Sequence, residues 1–183
     1  MSTNNYKTLA GWVAHLRAAG GAEAEFIVGP VSKGAPYLNL PLAVAAANAA
    51  GVTEPVFYCL TGGDYTLDVT LPFRSSVIGL DTAVVITGQI TTSGLANDRV
   101  VIRQVIFSPT AGVGLTANSI GTGSTGSLWL DDVTFSVGGG LIGAQIGGFV
   151  IEASGIDIQL NNGIGLDLIA TDDWVNEKTL LAG

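Results

Sequence analysis

Very short apolar runs, separated by turn residues rather than by helical segments, constrain the fold of this chain more than any other feature. Between residues 55 and 88 no interval between the runs is long enough for an α-helix. The step Gly62-Gly63-Asp64 offers a position for a positive φ and a tight reversal. The pattern therefore predicts a chain of strands and turns that winds in successive coils. The runs are Val56-Phe57-Tyr58, Leu67, Val69, Leu71, Val77-Ile78 and Val84-Val85-Ile86.

The same alternation of apolar runs and turns continues beyond residue 88. The later runs are Val100-Val101-Ile102, Val105-Ile106-Phe107, Leu128-Trp129-Leu130, Phe149-Val150-Ile151, Ile156-Ile158-Leu160 and Ile164-Leu166-Leu168. Their starts are unevenly spaced but centre on about twenty residues, which is the lower end of solenoid repeat lengths. Residues 56–170 therefore predict about five to six coils. The Gly-, Ser- and Thr-rich loops 108–127 and 138–148 act either as recognition tips or as connections.

The opening of this pattern resembles a known family. A small-residue helix at residues 42–50 precedes an apolar strand, a G-x-Y-x turn, an alternating strand, V-I-G-L-D and V-V-I-T-G. This order, over residues 40–88, resembles the first coils of pectin-lyase-like right-handed parallel β-helices. The resemblance implies a mainly β fold, a short right-handed parallel β-helix whose end is closed by the Ala-rich helix. A β-sandwich or jelly roll is the alternative, but apolar triplets without strict alternation favour buried parallel strands.

We expect three segments: an N-terminal arm over 1–40, a β-helix domain over 41–171 that includes the capping helix 41–50, and a C-terminal tail over 172–183. The arm is predicted to contain a helix over residues 8–19 with one apolar stripe. That stripe packs either on its own domain or on a neighbouring subunit. The tail either covers the lower end of the β-helix or reaches a partner. The candidate interface residues of the two segments are Leu9, Trp12, Val13, Leu16, Trp174 and Val175.

Composition limits the partners of the protein. Hydrophobic residues make up 48% of the chain and charged residues only 12%, with a formal net charge of −8. Such a chain either hides much of its surface in an assembly or presents a neutral exterior. The negative field opposes binding to phosphate backbones and anionic membranes, so neither nucleic acid nor a membrane is expected as a partner. The single cysteine, Cys59, lies in an apolar run and is predicted to be a buried thiol.

The acidic residues need consideration as catalytic groups, because many β-helix proteins cleave polysaccharides. Paired carboxylates could hydrolyse a glycoside, or bind calcium beside Arg99 or Arg103 for lyase chemistry. Adjacent strand residues point to opposite sides, however, so Asp131 and Asp132 cannot line one site. The only histidine, His15, lies in the predicted arm. We therefore expect solvent-facing acids, with no catalytic residues, cofactor or metal site. The acids considered are Asp64, Asp68, Asp131, Asp132, Asp157 and Asp167.

The chain also resembles short β-helix decoration and fibre proteins of bacteriophage virions. That resemblance implies a non-enzymatic structural protein, most concretely a homotrimeric capsid decoration (cement) protein. Its partner would be the major capsid or another virion protein, and it would be made in the host cytoplasm. The alternatives are a tail-fibre domain that recognises glycans, and a polysaccharide lyase or hydrolase that depends on Asp132, Asp157 or Asp167. The tryptophans Trp12, Trp129 and Trp174 are expected to anchor a core or an interface rather than stack on sugars.

Overall fold

A computed structural model describes residues 25–80, 83–94, 98–119, 126–169 and 180–181 of the chain. The described residues form one α-helix, α1 (Leu40–Ala49), a 3-10 turn at Val31–Lys33, and fourteen strands. The strands are β1 (Glu25–Val28), β2 (Val56–Cys59), β3 (Val69–Thr70), β4 (Ser76–Gly79), β5 (Val85–Ile86), β6 (Ile90–Gly94), β7 (Arg99–Phe107), β8 (Val113–Ser119), β9 (Gly126–Gly138), β10 (Ile142–Gly147), β11 (Phe149–Ser154), β12 (Asp157–Asn161), β13 (Ile164–Ile169) and β14 (Leu180–Leu181).

The strands form two sheets that the chain visits in turn. The first sheet has the order β1-β2-β4-β7-β9-β11-β14, with β5 beside β7 and β12 beside β9. The second has the order β13-β10-β8-β6-β3. Every pairing between these named strands is parallel. This is a β-solenoid of about four turns.

The mainly β fold and the parallel solenoid are confirmed. The described strands do not have the antiparallel pairing of a jelly roll. The predicted number of five to six coils is not confirmed, since the sheets support about four turns. The right-handed sense of the solenoid stays a prediction, and the predicted arm helix over 8–19 lies outside the described residues.

The core consists of side chains stacked in columns from coil to coil, and we call each such column a file. Alternation along each strand turns every second residue inward, and the parallel register places like positions above one another. Phe107 and Phe135 stack in this way with ring centroids 5.4 Å apart. Burial of each large apolar side chain stabilises the fold by about 1.5–3 kcal/mol. The longest buried file is Phe26, Phe57, Val77, Ile102, Leu130 and Ala153.

Helix α1 covers the N-terminal end of this core, as the sequence predicts for residues 41–50. The side chain of Asn39 accepts a hydrogen bond of 3.0 Å from the backbone N–H of Leu42, which caps the first turn. Pro41 occupies a first-turn position where its missing N–H costs nothing. The helix packs against β1 and β3, so it covers strand edges that would otherwise be exposed. Its buried residues are Leu40, Ala43, Val44 and Ala47.

The described parts of the arm and the tail both join the first sheet. From residue 25 the predicted arm contributes β1, which pairs with β2 at one edge of that sheet. β1 ends at Val28, and Pro30 precedes the 3-10 turn Val31–Lys33. Of the tail, β14 pairs with β11 at Glu152 and Ala153.

Candidate functional site

The residues predicted to form an interface lie outside the part of the chain that the structure describes. Leu9, Trp12, Val13 and Leu16 precede residue 25, and Trp174 and Val175 fall within 170–179. Their contacts therefore stay predictions.

The outer face of the first sheet presents the most distinctive group of side chains. In β9 the alternation buries Leu128 and Leu130 and leaves Trp129 on the outside, with 36% of its surface exposed. The guanidinium carbon of Arg99, in the neighbouring strand β7, lies 4.0 Å from the centroid of the Trp129 ring. A cation over an aromatic face at this distance is attracted to the ring and holds its orientation.

A second group of side chains lies beside Trp129 on the same face. The register aligns Arg103, Asp131 and Ser154 on three successive coils. Arg103 Nε donates to Asp131 Oδ2 at 2.8 Å, and Ser154 Oγ donates to Asp131 Oδ1 at 2.6 Å. An exposed ion pair of this kind stabilises a protein by only about 0.2–1 kcal/mol, so its larger effect is to fix these side chains in place.

We call this surface the Trp129 face. It comprises Arg99, Arg103, Trp129, Asp131, Glu152 and Ser154. Sequence analysis identified Trp129, Arg99 and Arg103 separately, but not as one surface. Arg99 aligns with Ser127, and Trp129 with Val101 and Glu152. This alignment depends on coil lengths that vary from one coil to the next, so the sequence alone did not place these side chains together.

The neighbouring carboxylates Asp131 and Asp132 face different parts of the surface, but not through the strand alternation assumed from the sequence, since both side chains are accessible. Asp132 has a φ of 55° and bends β9, and Gln104, with a φ of 54°, bends β7 one coil before it. The left-handed backbone turns the Asp132 side chain away from the Trp129 face and into a cleft of about 250 Å³. That cleft is lined by Leu80, Val84, Gln104, Val105, Ile106, Asp132 and Thr134.

The remaining acids considered for catalysis are separated and locally hydrogen-bonded. Asp167 lies in the second sheet, whereas Asp157 begins β12 in the first. Hydrogen bonds from Thr66 lower the pKa of the exposed Asp64. The other partners are the Gln89 backbone N–H for Asp68 (2.8 Å), the Gln145 amide for Asp167 (3.0 Å) and the Gln159 amide for Asp157 (2.7 Å).

An ion cluster around Arg74 was not found from the sequence, because its members are far apart in the chain. Arg74 Nε donates to Asp98 Oδ1 at 2.6 Å, and Arg74 Nη1 lies 3.3 Å from Glu54 Oε1. The hydrogen bond and the charge of Asp98 raise the pKa of Arg74 further above its usual range. The cluster joins three connecting segments beside Phe73, and we interpret it as a structural clamp.

Cys59 is a buried thiol, as predicted. It points into the core, and burial raises its pKa to about 12 despite a hydrogen bond from Tyr65 that acts in the opposite direction. The Tyr65 hydroxyl also bonds to the carbonyl oxygens of Leu60 at 2.8 Å and Val28 at 3.0 Å. A thiol in this protonated and enclosed state is a poor nucleophile.

No group of three or more His, Cys, Asp or Glu side chains in the described ranges is arranged to hold a metal ion. No helix within the described residues is long and apolar enough to span a membrane.

Comparison with known proteins gives no match to a family model, to a curated protein or to a solved structure. The resemblance to pectin-lyase-like β-helices and to phage decoration proteins therefore stays a prediction.

Proposed function

We propose that this protein is a non-enzymatic structural protein of a virus particle, most concretely a homotrimeric capsid decoration (cement) protein of a bacteriophage. The observation that carries the proposal is the Trp129 face, a partly exposed tryptophan held by one arginine beside an Arg-Asp-Ser ladder. Exposed Trp and Arg side chains are enriched at the centres of protein interfaces. On this proposal the face packs against a neighbouring subunit.

Charge supports this assignment. Only 12% of the residues are charged, yet four of the six residues of the Trp129 face carry a charge, and such charges need partners when the face is covered. The face carries both signs, with Arg99 and Arg103 on one coil and Asp131 and Glu152 on later coils. A rotational assembly brings different parts of this surface together, which allows the arginines of one subunit to meet the acids of the next. Three-fold packing around an axis along the solenoid has this property.

In the proposed particle, the major capsid protein or another virion protein is the second partner. The segment before β1 is the element proposed to clamp that partner. The structure refines the test of this idea, because β1 pairs with β2 and has to be kept. Deletion of residues 1–24 should abolish attachment to particles but leave the solenoid folded. Normal decoration by the shortened protein would remove the clamp from the proposal.

The subunit contact is tested by the absolute mass of the purified protein in solution, measured by light scattering. The Trp129 face should give a wild-type mass that is a whole multiple of the trimer mass, and Trp129→Ala should reduce that mass about threefold. Leu67→Ala is the matched control, since Leu67 is an exposed apolar residue just before β3 of the second sheet. A wild-type monomer that also fails to bind particles would contradict the assembly proposal, as would a W129A protein that assembles like the wild type.

A glycan-binding tail-fibre domain is the second candidate, and the same tryptophan favours it. An exposed indole surrounded by hydrogen-bonding groups from Arg103, Asp131 and Ser154 has the amphipathic character that suits a sugar ring. This candidate predicts a monomeric or trimeric protein whose tryptophan fluorescence changes on adding host-surface glycans. The change should be lost in W129A and retained after deletion of residues 1–24.

A further inference from the structure

The two ends of the solenoid differ in how they are covered. At the N-terminal end α1 lies over the core, but at the C-terminal end the buried files terminate in exposed apolar residues. Ile158 aligns with the buried Phe135 and is 41% exposed, and Leu160 aligns with the buried Val137 and is 55% exposed. Ile164, Leu168 and Ile169 of β13 are exposed at the same end.

This end also has unpaired strand edges. β12 pairs with β9, and β13 pairs with β10, each on one side only. The chain's own β14 covers the third edge strand, β11, at two positions. No described strand lies on the outer side of β12 or β13. Edge strands with free N–H and C=O groups beside apolar side chains favour pairing with another strand.

We propose that the outer edge of β12 binds β12 of a second copy of this chain, in antiparallel register about a two-fold axis through Gln159. The strand sequence D-I-Q-L-N suits this self-pairing. Antiparallel pairing about Gln159 sets Ile158 opposite Leu160 of the second copy, so the core files continue across the junction. It sets Asp157 opposite Asn161, which pairs a carboxylate acceptor with an amide donor.

The same register keeps like charges apart. Asp157 of one copy and Asp157 of the other lie at opposite ends of the paired segment, about 13 Å apart at the strand rise of about 3.3 Å per residue. The remaining outward-facing residues of β12, Gln159 and Asn161, are uncharged. A two-fold contact presents the same patch from both copies and must be self-complementary, which this register satisfies. The contact lies at the end of the solenoid and is separate from the Trp129 face.

The first test uses the mass of the full chain in solution. Leu160→Lys buries an ammonium group in the junction, which should weaken end-to-end association at least tenfold and halve the measured mass. Leu42→Lys is the matched control, because Leu42 is 54% exposed on α1 at the opposite end. Its mass should equal that of the wild type. L160K should have half the wild-type mass whether or not the Trp129 face assembles. Failure of the end-to-end contact can therefore be distinguished from failure of the Trp129-face assembly.

The second test reads the register directly. In antiparallel pairs, directly opposed Cβ atoms are about 4.5–5.5 Å apart, within reach of a disulfide after small movements. Gln159→Cys should therefore give a covalent dimer under mild oxidation. Asp157→Cys alone should not, but a mixture of D157C and N161C proteins should cross-link. Cys59 is buried and does not compete.

Two results would overturn the proposal. One is a Q159C protein that does not form a covalent dimer. This result counts against the proposal both when the introduced thiol reacts with small reagents and when the chain's own C-terminal residues cover it. The other is an L160K protein that is folded by circular dichroism and has the wild-type mass.

Discussion

The backbone carbonyl of Gln104 occupies the space that a side chain at Gly79 would need. The two residues lie at the same level on successive coils, where Gln104 adopts a left-handed conformation with a φ of 54°. The bend in β7 turns this carbonyl towards the preceding coil. Only glycine at position 79 allows the coils to stack at the ordinary spacing of parallel strands.

Replacing this glycine should separate the two coils. We expect Gly79→Ala to destabilise the protein by about 2–4 kcal/mol, because the obstacle is backbone rather than a mobile side chain. Gly138→Ala is the matched control, since a Cβ there meets its nearest atom at 3.5 Å, an ordinary contact distance. Urea unfolding of both variants measures the difference. Equal stabilities would show that the coils at Gly79 relax freely.

The stacked pair Phe107 and Phe135 should contribute strongly to stability. Both rings are fully buried, with planes inclined by only 13°. Phe135→Ala leaves a cavity in the middle of a file and should cost about 3–5 kcal/mol. Phe73→Ala, at an exposed position, should cost less than about 1 kcal/mol. A small loss for F135A would mean that the neighbouring coils collapse into the space.

Local features of the fold were predictable from the sequence because they depend on neighbouring residues. The run Val56-Phe57-Tyr58 became β2, the Ala-rich segment became α1, and Gly62 has the expected positive φ of 87°. The Trp129 face was not predictable in the same way. It requires Val101 to align with Trp129 and Arg103 with Asp131, and the steps between aligned residues differ from coil to coil.

The exposure of the C-terminal end of the solenoid could not be predicted from the sequence either. Ile158 and Leu160 alternate as core residues do, and the sequence pattern predicts burial for them. They are exposed because β12 belongs to the last turn described on that side, where no further coil covers them. Which turn is the last depends on the number of coils, and that number was not confirmed.

The raised pKa of Cys59 predicts a dependence of stability on alkaline pH. The pKa rises from 9.0 to about 12 on folding, so the folded state holds its proton more tightly than the unfolded state. This contribution is fully present below pH 9 and is lost as the pH rises towards 12, by at most about 1.4 kcal/mol per pH unit.

The variant Cys59→Ala cannot lose stability by this route. The difference in unfolding free energy between the wild type and C59A should therefore narrow between pH 9 and 11. Denaturant titrations of both proteins at pH 7, 9, 10 and 11 measure this difference. A difference that stays constant over the range would contradict the assignment, as would rapid reaction of Cys59 with a thiol reagent at pH 8 in the folded protein.

Thr92 offers the clearest opportunity to stabilise the protein. Its side chain points into the core between coils, and its buried hydroxyl oxygen has no hydrogen-bond partner. Valine has nearly the same shape and lacks the polar atom, so Thr92→Val removes a desolvation cost without opening a cavity. We expect a gain of about 1–2 kcal/mol in the free energy of unfolding. Thr91→Val is the matched control, because Thr91 lies next to it in β6 on the outer face and should give no gain. A T92V protein no more stable than the wild type would show that the hydroxyl is satisfied by buried water.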